Sequence, residues 1–512
     1  MSTEESIKDI RLGKLARMRE LGYDPYRVEK WSLTDSADAL LEHFEDGREV
    51  SFAGRIVSYR DMGKAGFAHL SDGEAKIQGY FRKDELGDDL YEVYKLLDLG
   101  DHIGVQGKMF VTKTGEQSIH VNSFHPLSKA LHPLPLGKEK DGHVFYGLQD
   151  VETKLRHRHL DLMSSKEGRA KLLNRARIVS AVRAYFDGQG YLEVETPVLQ
   201  MEAGGAAARP FMTHLNAYDV EVKLRISLEL YLKRIICGDV PKVYEVGRVF
   251  RNEGVSYKHN PDFTLLEFYE AYANLEDMMD HVENCFKYVA LAVFGGTKVD
   301  LPHQDGYVTV DFAEPWARID MLDEISKHTG VPREQLLDLK TAVEALGDGV
   351  RVNAVTGKKV IPSDERNLGG LLEKLLEVYV EPTLILPSFI VGYPLETSPL
   401  AKKDPNDPRF TRRFEGYVLG SEVCNSFSEI NDPIDQRERF EFQVGEAEAG
   451  DEEAHPMDEE FLYALECGMP PTGGCGIGLD RMAMLLTGSN TIRECLMFPF
   501  MRPEKDQKED EN

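Results

Sequence analysis

The sequence is poor in the residues that mark disulfide scaffolds, zinc sites and membrane spans. Six cysteines are scattered through its 512 residues, at Cys237, Cys285, Cys424, Cys467, Cys475 and Cys495. This spacing excludes a C-x-x-C zinc pattern and favours a reducing compartment. No apolar run reaches the roughly eighteen residues of a membrane helix, and the first residues, MSTEESIKDI, lack a secretion signal. We therefore expect a cytoplasmic protein with no membrane segment.

The chain also lacks an excess of positive charge. Lysine and arginine number 61 against 88 aspartates and glutamates, so the formal net charge is −27. Nonspecific binding to nucleic acid depends on neutralising phosphates with basic side chains, and this balance argues against it. A nucleic-acid partner would have to be held by a local basic or aromatic surface.

Length and local patterning predict several segments, because one hydrophobic core rarely extends through so long a chain. We expect a helical segment over 1–45, a small β-barrel over 46–130, a linker over 131–150, a larger domain over 151–503 and an acidic tail over 504–512. Short strands separated by turn signals indicate the barrel. Strands and helices without a βαβ rhythm indicate an α+β domain, in which helices flank an antiparallel sheet.

Apolar spacing predicts two helices and one strand at particular residues. The first helix would bury Ile7, Ile10, Leu15, Met18 and Leu21. The second would bury Leu172, Ala176, Val179, Val182 and Phe186. An alternating strand is expected over 191–196, ended by Pro197.

A strand, a polar loop and a return strand place several reactive side chains together. Arg251 ends the first strand and can offer a guanidinium fork to a phosphate. On the return strand Phe263, Glu267 and Tyr269 share parity, so their side chains face the same way.

A second group of acidic residues lies on a predicted hairpin. Glu415 and Glu422 flank a turn at Leu419-Gly420, and carboxylates are the ligands that magnesium prefers. The following strand gives Asn425, Phe427 and Glu429 a common face. With Glu229, these residues would form a slot with several carboxylates at its end. Unpaired buried negative charges are expensive, so the slot should hold a cation.

Three segments, taken in order, resemble the signature motifs of class II aminoacyl-tRNA synthetases. They are Gly190–Pro197, Phe250–Tyr269 and Gly476–Met482. The acidic slot makes the chain similar to the lysine-specific members, of bacterial type. The resemblance implies an N-terminal OB-fold barrel that binds the anticodon, a class II catalytic domain, and an enzyme that joins lysine to tRNA(Lys) with ATP and Mg²⁺. It also implies a homodimer, with the first motif at the subunit interface.

The resemblance assigns roles to individual residues. Arg251 and Arg481 would be catalytic, and the ATP site would comprise Arg251, Glu253, His259, Asn260, Phe263 and Arg481. Lysine would be bound by Gly205, Glu229, Glu267, Tyr269, Asn425, Phe427 and Glu429. Glu415 and Glu422 would hold magnesium, and Phe67 and Gln78 would contact the anticodon. Phe263 and Arg481 would sandwich the adenine, and Phe67 would stack on the central anticodon base.

The chain departs from the family pattern at three places, none of which is one of these residues. Leu215 stands where many relatives have a histidine, Ser227-Leu228 replaces a common Ala-Pro, and Asn490 stands in place of a usual histidine.

Other functions remain open at this point. An aspartyl- or asparaginyl-tRNA synthetase would share the architecture but would need a basic or amide-reading pocket. A noncatalytic tRNA-binding relative would be expected to lack Arg251, Glu422 or Arg481, and all three are present. A protein-lysylating relative would lack the N-terminal barrel.

Overall fold

The computed structural model describes residues 3–140, 143–303, 306–347, 349–353, 357–450 and 454–503. The chain divides into two compact units, Met1–Arg169 and Ala170–Asn512. The segment limits predicted at 45, 130 and 150 stay predictions. The predicted tail 504–512 and residues 141–142 of the predicted linker lie outside the described residues.

The N-terminal unit is built around a closed barrel. Its helices and strands are α1 Thr3–Glu20, α2 Ala37–Glu42, β1 Glu49–Asp61, β2 Ala65–Ser71, β3 Lys76–Arg82, α3 Lys83–Leu96, β4 His102–Val111, β5 Gln117–Ser128, β6 Leu136–Lys140, β7 His143–Gly147, α4 Val151–Arg156 and α5 Arg158–Ser164. The barrel order is β1-β2-β3-β5-β4, in which only β3 and β5 pair in parallel. Five strands in this order, with α3 between β3 and β4, confirm the predicted OB-fold.

Alternation of side chains fills the barrel interior. Along β2, alternate residues are buried, so Ala68 and Leu70 point inward while their neighbours are partly exposed. Helix α3 adds Tyr91 and Tyr94 to the same core, since these rings are buried against the barrel residues. Burial of this apolar surface is the main force that closes the barrel.

The first helix buries the predicted face except at one position. Leu15 and Met18 are buried as expected, but Ile10 is exposed. Arg11 takes the buried position, where its guanidinium donates to the Ala130 and His132 carbonyls at 2.7 and 2.8 Å. A hydrophobicity pattern cannot predict this, because these carbonyls are more than a hundred residues away in sequence.

The C-terminal unit contains one large sheet and its covering helices. It opens with α6 Lys166–Gly188, which begins in the N-terminal unit, followed by β8 Leu192–Glu193, β9 Leu199–Gln200, β10 Met212–Leu215, β11 Val220–Leu224, α7 Glu229–Cys237, β12 Lys242–Phe250, β13 Asp262–Ala271, α8 Leu275–Phe294, β14 Lys298–His303, β15 Gly306–Asp311, β16 Ala317–Asp320, α9 Met321–Thr329 and α10 Leu339–Leu346. It continues with β17 Arg351–Val352, β18 Lys359–Val360, α11 Leu368–Leu375, β19 Ser388–Val391, β20 Arg413–Val418, β21 Ser421–Ser428, α12 Pro433–Glu448, α13 Glu459–Glu466, β22 Thr472–Gly478, α14 Leu479–Leu486 and α15 Ile492–Cys495.

The eight-stranded sheet has the order β16-β19-β20-β21-β22-β13-β12-β8. Its central pairs are antiparallel, as predicted, whereas the two edge pairs, β16 with β19 and β8 with β12, are parallel. The predicted strand over 191–196 is shortened to Leu192–Glu193. The α+β fold class is therefore confirmed, with a shorter edge strand than expected.

The two faces of the sheet have different neighbours. On β13, Leu266 and Phe268 point into a core shared with α6, α8 and α14. Tyr269 points the other way, toward α7 and α13. Within α6, Ile178 and Val182 are buried while Ala176 is exposed. The prediction that this helix buries Ala176 was therefore wrong.

No helix in the part of the chain that the structure describes is long and apolar enough to cross a membrane.

A buried ion cluster joins the end of α3, the start of β4 and the end of β5, and it gives a stability prediction. Lys129 donates from Nζ to Asp98 Oδ2 at 2.6 Å, to Asp101 Oδ2 at 2.7 Å and to the Leu96 carbonyl at 3.0 Å. Lys129→Met keeps an apolar side chain but leaves buried carboxylates without this cation. The free energy of unfolding of the barrel should therefore fall by about 3–5 kcal/mol. Urea unfolding combined with hydrogen exchange in β4 and β5 would measure the loss.

The matched control is Lys108→Met, an exposed lysine on β4 whose Nζ lies 3.6 Å from Glu49. A surface ion pair contributes roughly 0–1 kcal/mol, so this variant should unfold nearly as the wild type. Equal losses in the two variants would contradict the role given to the Lys129 cluster.

Candidate active site

A cavity of about 640 Å³ lies in the C-terminal unit, on the α7 face of the sheet. All the residues that the sequence singled out in this unit line it: Gly205, Glu229, Arg251, Glu253, His259, Asn260, Phe263, Glu267, Tyr269, Glu415, Glu422, Asn425, Phe427, Glu429 and Arg481. These residues are up to 276 positions apart (205 to 481) in the chain. The structure therefore brings them together; the role of each one stays a prediction.

Strand parity explains why β13 contributes to the cavity. Phe263, Glu267 and Tyr269 occupy alternate positions and all line it, as predicted. Tyr269 donates its hydroxyl to Glu267 Oε2 at 3.0 Å, which ties the two polar side chains together. The intervening Leu266 and Phe268 anchor the strand in the opposite core.

The acidic end of the cavity contains a cation that the sequence analysis did not identify. Lys233 of α7 is fully buried, and its Nζ donates to Glu229 at 2.6 Å and to Glu429 at 2.8 Å. Its ammonium also lies 5.9 Å from the Phe427 ring. The spacing of Glu229 and Lys233, four residues apart on a helix, was the available sequence signal.

One ammonium cannot neutralise three carboxylates. Glu229, Glu267 and Glu429 are all buried, and Glu429 Oε1 has no hydrogen-bond partner among the described residues. Burial, followed by the charge of Glu229, raises the pKa of Glu267 to about 7, although hydrogen bonds from Ser227 and Leu228 lower it. Burial likewise raises the pKa of Glu429, despite its pairing with Lys233. The slot is therefore suited to a second cation.

Two glycines of β22 leave room beside these carboxylates. Gly474 and Gly476 line the cavity. A Cβ atom at Gly474 would lie 2.0 Å from Glu429 Oε1 and 2.4 Å from the Tyr269 ring. Such contacts cannot be accommodated, so the slot requires a strand without a side chain at this position.

Arg251 and Phe263 meet at the other end of the cavity. The backbone N–H of Arg251 donates to the Pro261 carbonyl at 2.8 Å, which closes the loop between β12 and β13. Its guanidinium lies 5.2 Å from the centre of the Phe263 ring and donates to the Ile226 carbonyl at 3.3 Å. Phe263 was predicted to pair with Arg481 around a base; in this structure its cationic neighbour is Arg251.

Arg481 is held at the start of α14. The preceding residue, Asp480, accepts hydrogen bonds from Arg175 at 2.6 Å and from the Thr264 N–H at 2.8 Å, which fixes the helix to β13. Arg481 then donates to Glu422 Oε2 at 2.8 Å and to His259 Nε2 at 3.1 Å. Burial, followed by the charge of Arg481, lowers the pKa of His259 to about 4, so the neutral ring acts as acceptor.

Asn260 is buried and its amide donates to the Asp262 carbonyl at 2.8 Å. Its Oδ1 has no hydrogen-bond partner among the described residues, and it lines the cavity. Glu253 also lines the cavity.

The hairpin of β20 and β21 carries the two predicted metal ligands. Its turn is at Leu419-Gly420, as expected, and both residues have positive φ. The register pairs Glu415 with Asn425 and Glu422 with Tyr417, so the two glutamates are not directly opposite each other. Both line the cavity nevertheless.

Both hairpin glutamates already have protein partners. Glu415 accepts from Arg413 at 2.6 Å and from the hydroxyls of Tyr417 at 2.6 Å and Tyr393 at 2.9 Å. Burial by itself would raise the pKa of Glu422, but the charge of the nearby Arg481 lowers this pKa overall. Within the described ranges, no group of three or more histidine, cysteine, aspartate or glutamate side chains could enclose a metal ion alone. Two carboxylates do fit magnesium when phosphates and water complete its coordination.

The remaining predicted residues line the same slot. Asn425 accepts a hydrogen bond from Arg413 at 3.1 Å. Gly205 has a φ of +89°, and a Cβ atom there would lie 2.8 Å from Ser227 Oγ, so this loop needs glycine for both reasons. Ser227, Lys233 and Arg413 are cavity or slot residues to which the sequence analysis gave no role.

The barrel carries the two predicted anticodon contacts. Phe67 stacks on Tyr80 with the ring centres 4.8 Å apart, and Tyr80 continues to Phe110 and His120 at 5.8 and 5.4 Å. Gln78 is buried: its amide donates to Glu116 at 2.8 Å and accepts from Ser118 at 3.1 Å. Phe67 thus belongs to a larger aromatic surface, whereas Gln78 would have to exchange a protein partner to contact a base.

The chain is similar to known proteins over nearly its whole length. A profile of the family described as tRNA synthetases class II (D, K and N) matches residues 150–502, and one described as an OB-fold nucleic acid binding domain matches 50–127. The chain is 47% identical to a lysine–tRNA ligase of Moorella thermoacetica, over 99% of this chain and 100% of the relative. It is 46% identical to those of Staphylococcus epidermidis, over 96% and 98%, and Bacillus subtilis, over 96% and 96%.

The pKa of Glu267 predicts how cations should bind to the slot. Above about pH 7 the Glu267 carboxyl loses its proton and can attract an ammonium group, so affinity should rise with pH. The ionised fraction of a group with this pKa increases roughly tenfold between pH 6 and pH 8. The compound 1,5-diaminopentane is a dication at both pH values. Isothermal titration should show that its affinity for the protein rises by up to roughly tenfold from pH 6 to pH 8.

Glu267→Gln provides the control, because a neutral amide cannot titrate in this range. Glu229, Glu429 and Tyr269 face the same group and would remain in the variant. An unchanged pH dependence in Glu267→Gln would show that another group is responsible.

Proposed function

The chain belongs to the class II tRNA synthetases and, among them, to the lysine–tRNA ligases, and we propose that it activates lysine with ATP and transfers it to the 3′ end of tRNA(Lys). The observation that carries the substrate assignment is the slot of Glu229, Glu267 and Glu429, in which one internal ammonium pairs with two of three buried carboxylates. A long side chain ending in a second ammonium would supply the missing charge.

The same observation argues against the two related substrates. Aspartate would bring another carboxylate into the slot, and asparagine would bring an uncharged amide. Lys233 could attract an acidic ligand only if it were free, but it is fully buried and already bound by Glu229 and Glu429. The net charge of the slot therefore favours lysine.

Activation in this proposal depends on positioning rather than on a covalent enzyme intermediate. The lysine carboxylate attacks the α-phosphorus of ATP, which forms lysyl-adenylate and releases pyrophosphate. A ribose hydroxyl at the tRNA end then takes the lysyl group and releases AMP. Arg251 would bind the α-phosphate with its planar fork while negative charge builds there. Arg481, His259, Asn260 and Glu253 would orient the nucleotide.

Magnesium would be held by Glu415 and Glu422 together with the ATP phosphates. When bound, it would neutralise part of the phosphate charge. Arg481 pairs with Glu422 and Arg413 pairs with Glu415, so these cations hold both carboxylates in place at the cavity.

The barrel would bind the anticodon through its aromatic surface. Phe67, Tyr80, Phe110 and His120 offer adjoining rings on which unpaired bases can stack. Stacking needs little positive charge, which reconciles a tRNA partner with the net charge of −27.

A homodimer is supported by exposed apolar side chains near the first motif. These are Leu192, Val198, Leu199, Met201 and Met212. Large exposed apolar residues that follow one another in this way are typical of protein interfaces. A cytoplasmic location is supported by the six cysteines, all of which are free.

Amino-acid-dependent exchange of pyrophosphate into ATP tests the proposal directly. Lysine should support exchange in the presence of magnesium, whereas aspartate and asparagine should give only the background rate. Chelation of magnesium should abolish the lysine-dependent signal. Exchange that lysine does not stimulate would refute the proposed substrate.

Arg251→Ala should reduce lysine-dependent exchange by at least roughly a hundredfold, because it removes the fork that stabilises charge on the phosphate. Arg251→Lys should recover little of this loss, since a point charge cannot bind two oxygens in a plane. Arg409→Ala, at an exposed arginine paired with Asp407, is the matched control and should exchange normally. Near-normal exchange by Arg251→Ala would exclude the role proposed for this residue.

A further inference from the structure

One side chain, Ser227, contacts three of the elements that form the acidic slot. It lies in the turn before α7 and is buried. Its hydroxyl donates to Glu267 Oε1 at 2.7 Å and accepts from the Glu229 N–H at 3.2 Å. The hydroxyl thus connects the start of α7 to the middle of β13.

The next residue adds a second donor to the same oxygen. The Leu228 N–H lies 3.1 Å from Glu267 Oε1. Because Tyr269 donates to Oε2, both oxygens of Glu267 are held from the protein side. A buried carboxylate with three donors is restricted in its rotation and stabilised in its charged form.

The loop at Gly205 is packed onto this turn. A Cβ atom at Gly205 would lie 2.8 Å from Ser227 Oγ and 3.1 Å from Glu229 Cβ. The loop backbone therefore contacts the same side chain that orients Glu267. Displacement of Ser227 would affect Gly205, Glu229 and Glu267 together.

We propose that Ser227, assisted by the Leu228 N–H, is a positioning residue that fixes the Glu267 carboxylate and thereby sets the length of the amine that the slot accepts. This inference rests on the proposed lysine-activating function. An Ala-Pro pair at these two positions would offer neither donor, because alanine has no hydroxyl and proline has no N–H. Orientation of Glu267 by this turn is thus a property of the Ser227-Leu228 sequence of this chain.

A fixed carboxylate discriminates between amines of different length. The ammonium of lysine would reach Glu267, whereas that of ornithine, one methylene shorter, would fall short by about one bond. A carboxylate that can rotate or move would follow the shorter substrate. Loss of the Ser227 hydroxyl should therefore weaken lysine binding and reduce the preference for lysine over ornithine.

The test is steady-state pyrophosphate exchange with Ser227→Ala, Ser227→Cys and the wild type. Ser227→Ala should raise KM for lysine by roughly tenfold, as expected for a lost hydrogen bond to a charged group, with KM for ATP changed less than about twofold. The ratio of kcat/KM for lysine to that for ornithine should fall. Ser227→Cys, which retains a weak donor of similar size, should lie between the two.

A double-mutant cycle with Glu267→Gln tests whether Ser227 acts through Glu267. The effect of Ser227→Ala on KM for lysine should largely disappear in the Glu267→Gln background. Ser388→Ala is the control for loss of a buried hydroxyl: Ser388 donates to the Leu386 carbonyl at 2.8 Å in β19 and does not line the cavity. It should leave both KM values unchanged.

The possible outcomes separate this inference from the proposed function. Absence of lysine-dependent exchange in the wild type would reject the function itself. Wild-type exchange combined with an unchanged KM and lysine–ornithine ratio in Ser227→Ala would overturn the positioning role. An equal rise in KM for ATP and lysine, or a full effect in the Glu267→Gln background, would overturn it as well. If Ser227→Ala does not fold, Ser227→Cys decides by the same criteria.

Discussion

Buried negative charge that has too few internal counter-ions is the constraint on which the catalytic unit depends. Glu229, Glu267 and Glu429 are held out of water, and Lys233 is the ammonium that reaches two of them. Such an arrangement is unfavourable by itself, because burial of a carboxylate requires compensation. The surrounding hydrogen bonds provide part of it, and a cationic substrate would provide the rest. Stability and recognition are therefore linked in one cluster.

The sheet allows this buried charge because its two faces have different roles. One face of β13 and its neighbours packs against α6, α8 and α14 and forms the main apolar core of the unit. The other face is free to carry polar groups because the first already anchors the strands. Helix α7 lies on the polar face, where its first residue is Glu229 and its next inward turn carries Lys233. Packing on one side thus allows charge on the other.

Sequence patterns predicted the fold class and the cavity lining well, because both follow from strand parity and from motifs of known spacing. The alternation of Phe263, Glu267 and Tyr269 needs only local geometry. Lys233 was not recognised, because a lysine on a helix is usually exposed and its second partner, Glu429, is 196 residues away. The same limitation applies to Arg11, whose carbonyl partners are 119 and 121 residues away in the chain. Long-range polar contacts, unlike hydrophobic periods, leave no local signature.

The glycines of β22 have a consequence for how the slot can vary. At Gly474 the wall beside Glu429 is bare main chain, held on its two edges by ladders to β13 and β21. A wall made of backbone cannot swing aside by changing a rotamer, so the depth of the slot on this side is as rigid as the sheet. Any change in ligand fit must then come from the side chains that line the slot and not from this strand.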